Sequence, residues 1–121
     1  MLTQDTIDAF NGRLTIDLNS IKNMTTGELD RVKAHGSTAE ILMRNRELAM
    51  FMHQYKFELA DALSAISGHT LEDNNKRVAI SNQLAGLDGF IATLKRAVYM
   101  KNRVVTQQNG PALNNKESKV L

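Results

Sequence analysis

The sequence predicts an all-α fold: a long antiparallel helical hairpin with an N-terminal helix packed on it. Three observations carry this. Ile80, Leu84, Leu87, Ile91, Leu94 and Val98 alternate by four and three, the spacing of a helical seam. Proline occurs once, at Pro111, tryptophan is absent and 5% of residues are aromatic, unlike the β-branched and turn-rich composition of a sandwich. The 121 residues, 42% apolar and 23% charged, are enough for one modest core.

In chain order, residues 3–22 place Ile7, Phe10, Leu14, Leu18 and Ile21 at helical spacing, with Thr3 or Asp5 available to cap the start. Gly12 and the β-branched Thr15 and Ile16 weaken this helix and favour a short or broken one. Residues 25–35 read as a short helix opened by Thr25 and Glu28 at capping-box spacing and stopped by Gly36. Ser37 or Thr38 then caps a helix over about 38–67, and Gly68 ends it. Thr70 and Asp73, again spaced as a capping box, open a last helix that frays near Gln107 or Gln108. At about 1.5 Å per residue the two long helices reach roughly 45 and 55 Å. The tight turn between them makes an αα-hairpin.

This divides the chain into an N-terminal helical segment (1–36), the hairpin (37–107) and a flexible or short binding tail (108–121) whose composition is polar and aperiodic. No internal repeat is visible.

The segment 40–66 holds more apolar residues than one helix face can use. Ile41, Leu48, Met52, Tyr55, Leu59, Ala62 and Ile66 form one stripe, matching the seam of the last helix. Met43, Met50 and Phe57, seven apart, form a second stripe nearly opposite. A surplus apolar stripe marks an interface. Either the N-terminal helix covers it, giving a three-helix bundle, or another copy or another protein does, giving an oligomeric bundle. Methionine favours an adaptable contact surface. Gly86 and Gly89 fall on the outer face of the last helix, where each costs up to about 1 kcal/mol against Ala. They imply a bend or the close approach of another backbone. The last helix also outlasts its partner by about two turns, so its end is expected to project from the hairpin.

Net charge is +2 but unevenly spread. Residues 1–75 carry seven Lys/Arg and eleven Asp/Glu, while residues 76–121 carry eight and two. Such a split steers an acidic partner or simply complements helix dipoles. The cations Lys95, Arg96, Lys101 and Arg103 surround Tyr99, which suits phosphate neutralisation and base stacking. Residues 15–35 also have the outline of a helix-turn-helix, but its second helix, with Glu28, Asp30, Arg31 and Lys33, is near neutral where a recognition helix is positive.

There is no cysteine, which excludes disulfides and thiolate chemistry and fits a cytoplasmic protein. The first ten residues carry Asp5 and Asp8 and no basic stretch, unlike a signal peptide, and no apolar run approaches the ~18 residues of a membrane span. No phosphate loop, dinucleotide fingerprint or nucleophile elbow occurs. The GLDG at 86–89 has the GxxG form of an RNA clamp but lies inside a heptad run. His35, His53 and His69 are too dispersed to share a metal, and the pairs Glu58/Asp61 and Asp5/Asp8 read as solvated carboxylates. No cofactor or metal is expected, and no enzymatic activity. The expected function is that of a helical interaction or assembly protein that self-associates or docks on a larger complex through Met43, Met50, Phe57, Gly86 and Gly89. The alternative is a nucleic-acid-binding module using Lys95, Arg96, Tyr99, Lys101 and Arg103.

Overall fold

Four α-helices and one 3-10 turn make up the fold, with no strand among the described residues, 2–15 and 18–109 of the computed structural model. They are α1 (Gln4–Gly12), the 3-10 turn (Leu18–Asn23), α2 (Thr26–Arg44), α3 (Arg46–Ser64) and α4 (Leu71–Asn109). The class is all-α, as the seam spacing predicts. Residues 110–121, most of the expected tail, lie outside the described residues.

α4 is 39 residues long, roughly 58 Å. α2 and α3, 19 residues each, lie in series along it. Their cross-links show the antiparallel sense. Lys33 Nζ donates to Gln108 Oε1 at 2.9 Å, Lys101 pairs with Glu40, Lys56 lies 3.8 Å from Asp88, and Arg77 donates to the Ile66 carbonyl at 3.2 Å. As one partner's number rises, the other falls.

Helix starts follow the caps expected. Thr3 Oγ1 accepts from Thr6 N–H at 3.2 Å, and Thr25 Oγ1 accepts from Glu28 N–H at 3.2 Å. At α4 the box is reciprocal: Thr70 Oγ1 accepts from Asp73 N–H (3.1 Å) while Asp73 Oδ2 accepts from Thr70 N–H (3.2 Å).

The helix boundaries in the first half differ from the expectation. Gly36 does not stop a helix; α2 runs through it to Arg44. Ser37 and Thr38 are interior, with Thr38 Oγ1 donating back to the Ala34 carbonyl at 3.1 Å. Gly36 is there for proximity: it is buried against α4, and a Cβ built on it would stand 2.7 Å from the Ala97 carbonyl oxygen and against Lys101 Cβ. The break falls instead at Asn45. Its extended backbone (φ −74°, ψ 109°) ends α2, and its Oδ1 accepts from Leu48 N–H at 3.0 Å to cap α3. The expected helix over 38–67 is therefore the end of one helix and the whole of another.

The N-terminal helix also differs. α1 ends at Gly12 and has no buried residue; Phe10 is exposed under the Arg13 guanidinium, 3.8 Å from the ring centroid. α1 is tied down at its end, where Arg31 donates to the Gly12 carbonyl at 3.0 Å, and it does not pack along the hairpin. The 3-10 turn takes that place, since its Ile21 joins Val32, Met100 and Val104 in the main buried cluster, flanked by Met24 and Leu29. A second cluster, Ala39, Leu94 and Ala97 with Val98 beside it, continues between α2 and α4. The end of α4 thus does not project. The first turns of α2, through Val32, and Ile21 of the 3-10 turn cover Met100 and Val104, which are 2% and 0% exposed.

Candidate interaction surfaces

Layer number differs between the two ends of the molecule. At the α2 end, α4 meets α2 and the 3-10 turn, so side chains are enclosed from two directions. At the α3 end there are two helices and nothing else among the described residues. Leu59 is the one buried residue of α3. Its seam neighbours Leu48, Met52, Leu63 and Ile66, facing Ile80, Leu84, Leu87 and Ile91, are half-buried. Two helices in contact cover about one face each, which leaves the opposite faces in water.

Met50 and Phe57 lie on such a face, 58% and 67% exposed. With ~100° per residue they stand opposite Leu59. Arg46, Glu47, His53, Gln54, Glu58 and Asp61 complete that face. Met43, 42% exposed, precedes it on α2, beyond the Asn45 break. α1 covers none of this stripe. Phe51, 73% exposed on its flank, belongs to the same apolar area and lies outside both stripes that the sequence predicts. Three residues expected on the seam, Ile41, Tyr55 and Ala62, are exposed instead. Gly86 and Gly89 are exposed on α4, and no atom lies within 4 Å of where their Cβ atoms would stand. They sit on the outer face of the other helix, so the five expected interface residues form two separate surfaces rather than one.

The basic segment is likewise divided. Lys101 is half-buried against Gly36 and bonded to Glu40. That bond holds the Glu40 carboxyl below the usual carboxylate range; burial opposes it, and the charges of Lys101 and Arg44 each add a smaller lowering. Lys95, Arg96 and Arg103 remain exposed. Tyr99, 53% exposed, has the Arg103 guanidinium 6.0 Å from its ring centroid. The structure adds partners here. Lys22 of the 3-10 turn joins Tyr99, Asn102, Arg103, Thr106 and Gln107 around a groove of about 770 Å³. Asn102 and Thr106 follow from Tyr99 by helical spacing. Lys22 could not be anticipated, because nothing local in the sequence places it beside α4.

Among the described residues no group of three or more His, Cys, Asp or Glu side chains could hold a metal ion, and no helix is long and apolar enough to cross a membrane. Comparison with protein-family models, with curated proteins and with solved structures returns no match.

Proposed function

We propose that this chain is a non-enzymatic helical assembly protein that self-associates through the outer face of α3. The observation that supports this most directly is the unfinished core of the hairpin end. Met50, Phe51 and Phe57 are exposed together on a helix whose own seam buries a single residue fully. Large apolar side chains grouped in this way are uncommon on a surface with no partner. Light scattering coupled to size exclusion tests the proposal. The parent chain should elute as an oligomer at high concentration, and Phe57→Lys or Met50→Lys should return it to a monomer with unchanged helix content. A parent that stays monomeric at every concentration rejects it.

The groove at the other end favours a second reading. Lys95, Arg96, Tyr99 and Arg103 on one side of α4, with Lys22 beside them, combine cations, one aromatic ring and amide or hydroxyl groups without a carboxylate. That chemistry suits a single-stranded nucleic acid. Anisotropy of a labelled single-stranded oligonucleotide between about 50 and 200 mM salt should show affinity falling steeply with salt. Reversing Arg96 and Arg103 should flatten that slope by about one for each phosphate no longer neutralised. Absence of salt-sensitive binding removes this reading and leaves the first intact.

A further inference from the structure

The outer face of α3 has an order of residues that selects its partner. Down the middle of the face run Arg46, Met50, His53 and Gln54, Phe57, and Asp61, with Glu47, Phe51 and Glu58 beside them. This order is complementary to its own reverse. Turned end for end about the point between His53 and Gln54, Arg46 meets Asp61, Met50 meets Phe57, and His53 meets Gln54. We propose, building on the self-association above, that the occupant of this face is a second copy of the chain, with the two α3 helices antiparallel about a two-fold axis at His53/Gln54.

Three physical points support this register. An isologous two-fold contact requires a patch that complements itself, and the central line of this one does in both charge and size. It forms two Arg46–Asp61 pairs at the ends and two methionine–phenylalanine contacts between them, a favourable sulfur–aromatic combination. The parallel arrangement places Arg46 on Arg46 and Asp61 on Asp61, which like-charge repulsion disfavours. In the antiparallel pair the adverse juxtaposition is Glu47 near Glu58 of the second copy. Both are exposed on the flank, where solvent screens them. The two α4 helices then lie on the outside, each behind its own α3, giving a four-helix layer. The contact runs from residue 46 to 61, roughly 23 Å, on a face one helix wide. That is at the small end of specific interfaces, so a weak, concentration-dependent dimer is expected.

The absence of native cysteine makes the test direct. With helix axes about 9 Å apart, Gln54 Cβ comes to roughly 4–5 Å from its own symmetry mate, within disulfide reach. The two Ser64 residues would be separated by about 30 Å along the axis. Under mild oxidation Gln54→Cys should give a covalent dimer and Ser64→Cys should not. Arg46→Glu and Asp61→Arg should each weaken the dimer about tenfold, and the doubly exchanged variant should recover it. Cross-linking through Ser64→Cys, or an oligomer indifferent to both charge reversals, overturns this register while leaving self-association standing. A parent chain that remains monomeric overturns both.

Discussion

Gly36→Ala reads the α2–α4 contact directly, because two opposing effects have known size. In an exposed helix interior the change is worth up to about 1 kcal/mol in favour of Ala, which restricts the unfolded chain and suits the helix. At Gly36 the new methyl would stand 2.7 Å from the Ala97 carbonyl oxygen and collide with Lys101 Cβ. Neither is the free end of a flexible side chain, so α2 and α4 must separate, disturbing Val32, Ala39, Met100 and Val104 together. Overpacking of this kind costs about 1–3 kcal/mol, occasionally more. Contacts this short put the cost in the upper part of that range, about 2–3 kcal/mol, and subtracting the propensity gain leaves a net loss of about 1–2 kcal/mol. Gly86→Ala and Gly89→Ala serve as internal controls, since nothing lies within 4 Å of either position. Each should stabilise by up to about 1 kcal/mol. Urea denaturation followed by far-ultraviolet circular dichroism, in dilute solution, measures all three. A Gly36→Ala protein as stable as the parent or more so, moving in the same direction as the two controls, would refute the close packing of α2 on α4.

Met100→Ala should cost about 2–5 kcal/mol, while Met50→Ala in dilute solution should stay within about 0.5 kcal/mol, because the first is 2% exposed and the second 58%; equal losses in urea titrations would contradict the layer difference. Asn45→Ala should cost about 1 kcal/mol through loss of the α3 cap, with Asn45→Ser close to the parent in the same assay. Stability should fall in acid. The carboxyls of Glu40, bonded to Lys101, and Asp73, bonded to Thr70, titrate lower in the folded chain than in the unfolded one. Their contribution is complete above the unfolded-state pKa and disappears as pH falls through the folded-state value, a window starting near pH 5. Thermal melts across that window should show Glu40→Gln losing less stability than the parent; parallel curves would mean that the Lys101 pair contributes nothing.

Fold class and most of the capping are legible in the sequence because both are local. The alternation from Ile80 to Leu94 identifies a seam whichever helix lies on it, and Thr25–Glu28 and Thr70–Asp73 satisfy their own backbones within one turn. Gly36 defeats a local reading for a physical reason. A glycine in a helical pattern can stop the helix or permit close approach, and which applies depends on Ala97 and Lys101, some sixty residues away. The same ambiguity hides the later seam. Where α3 faces α4, the seam is Ile80, Leu84, Leu87 and Ile91, all half-buried. Where α2 and the 3-10 turn take over from α3, the contact positions step to Leu94, Ala97, Met100 and Val104. Asn45 carries a usable signal as a strong cap residue, but its place on the seam through Ile41 and Leu48 masks it. The exposed stripe of Met50 and Phe57 follows from periodicity alone. What covers it does not, because the lateral placement of α1 depends on contacts that no local pattern encodes.

The two proposed surfaces are separable because the Asn45 break separates the elements that carry them. α2 and the 3-10 turn enclose one end of α4, and the cations left outside that closed core, Lys22, Arg96 and Arg103, contribute little to stability. α3 is alone against the other end and holds its apolar excess outward. A lysine at Phe57 therefore removes only an exposed apolar side chain, and a glutamate at Arg103 removes only an exposed charge. Each variant should fold, and each should affect one surface without the other. If Phe57→Lys abolished both self-association and any salt-sensitive nucleic-acid binding, binding would depend on the dimer. The basic grooves of two copies, at opposite ends of an antiparallel pair, would then be acting on one strand with the avidity of a bivalent ligand.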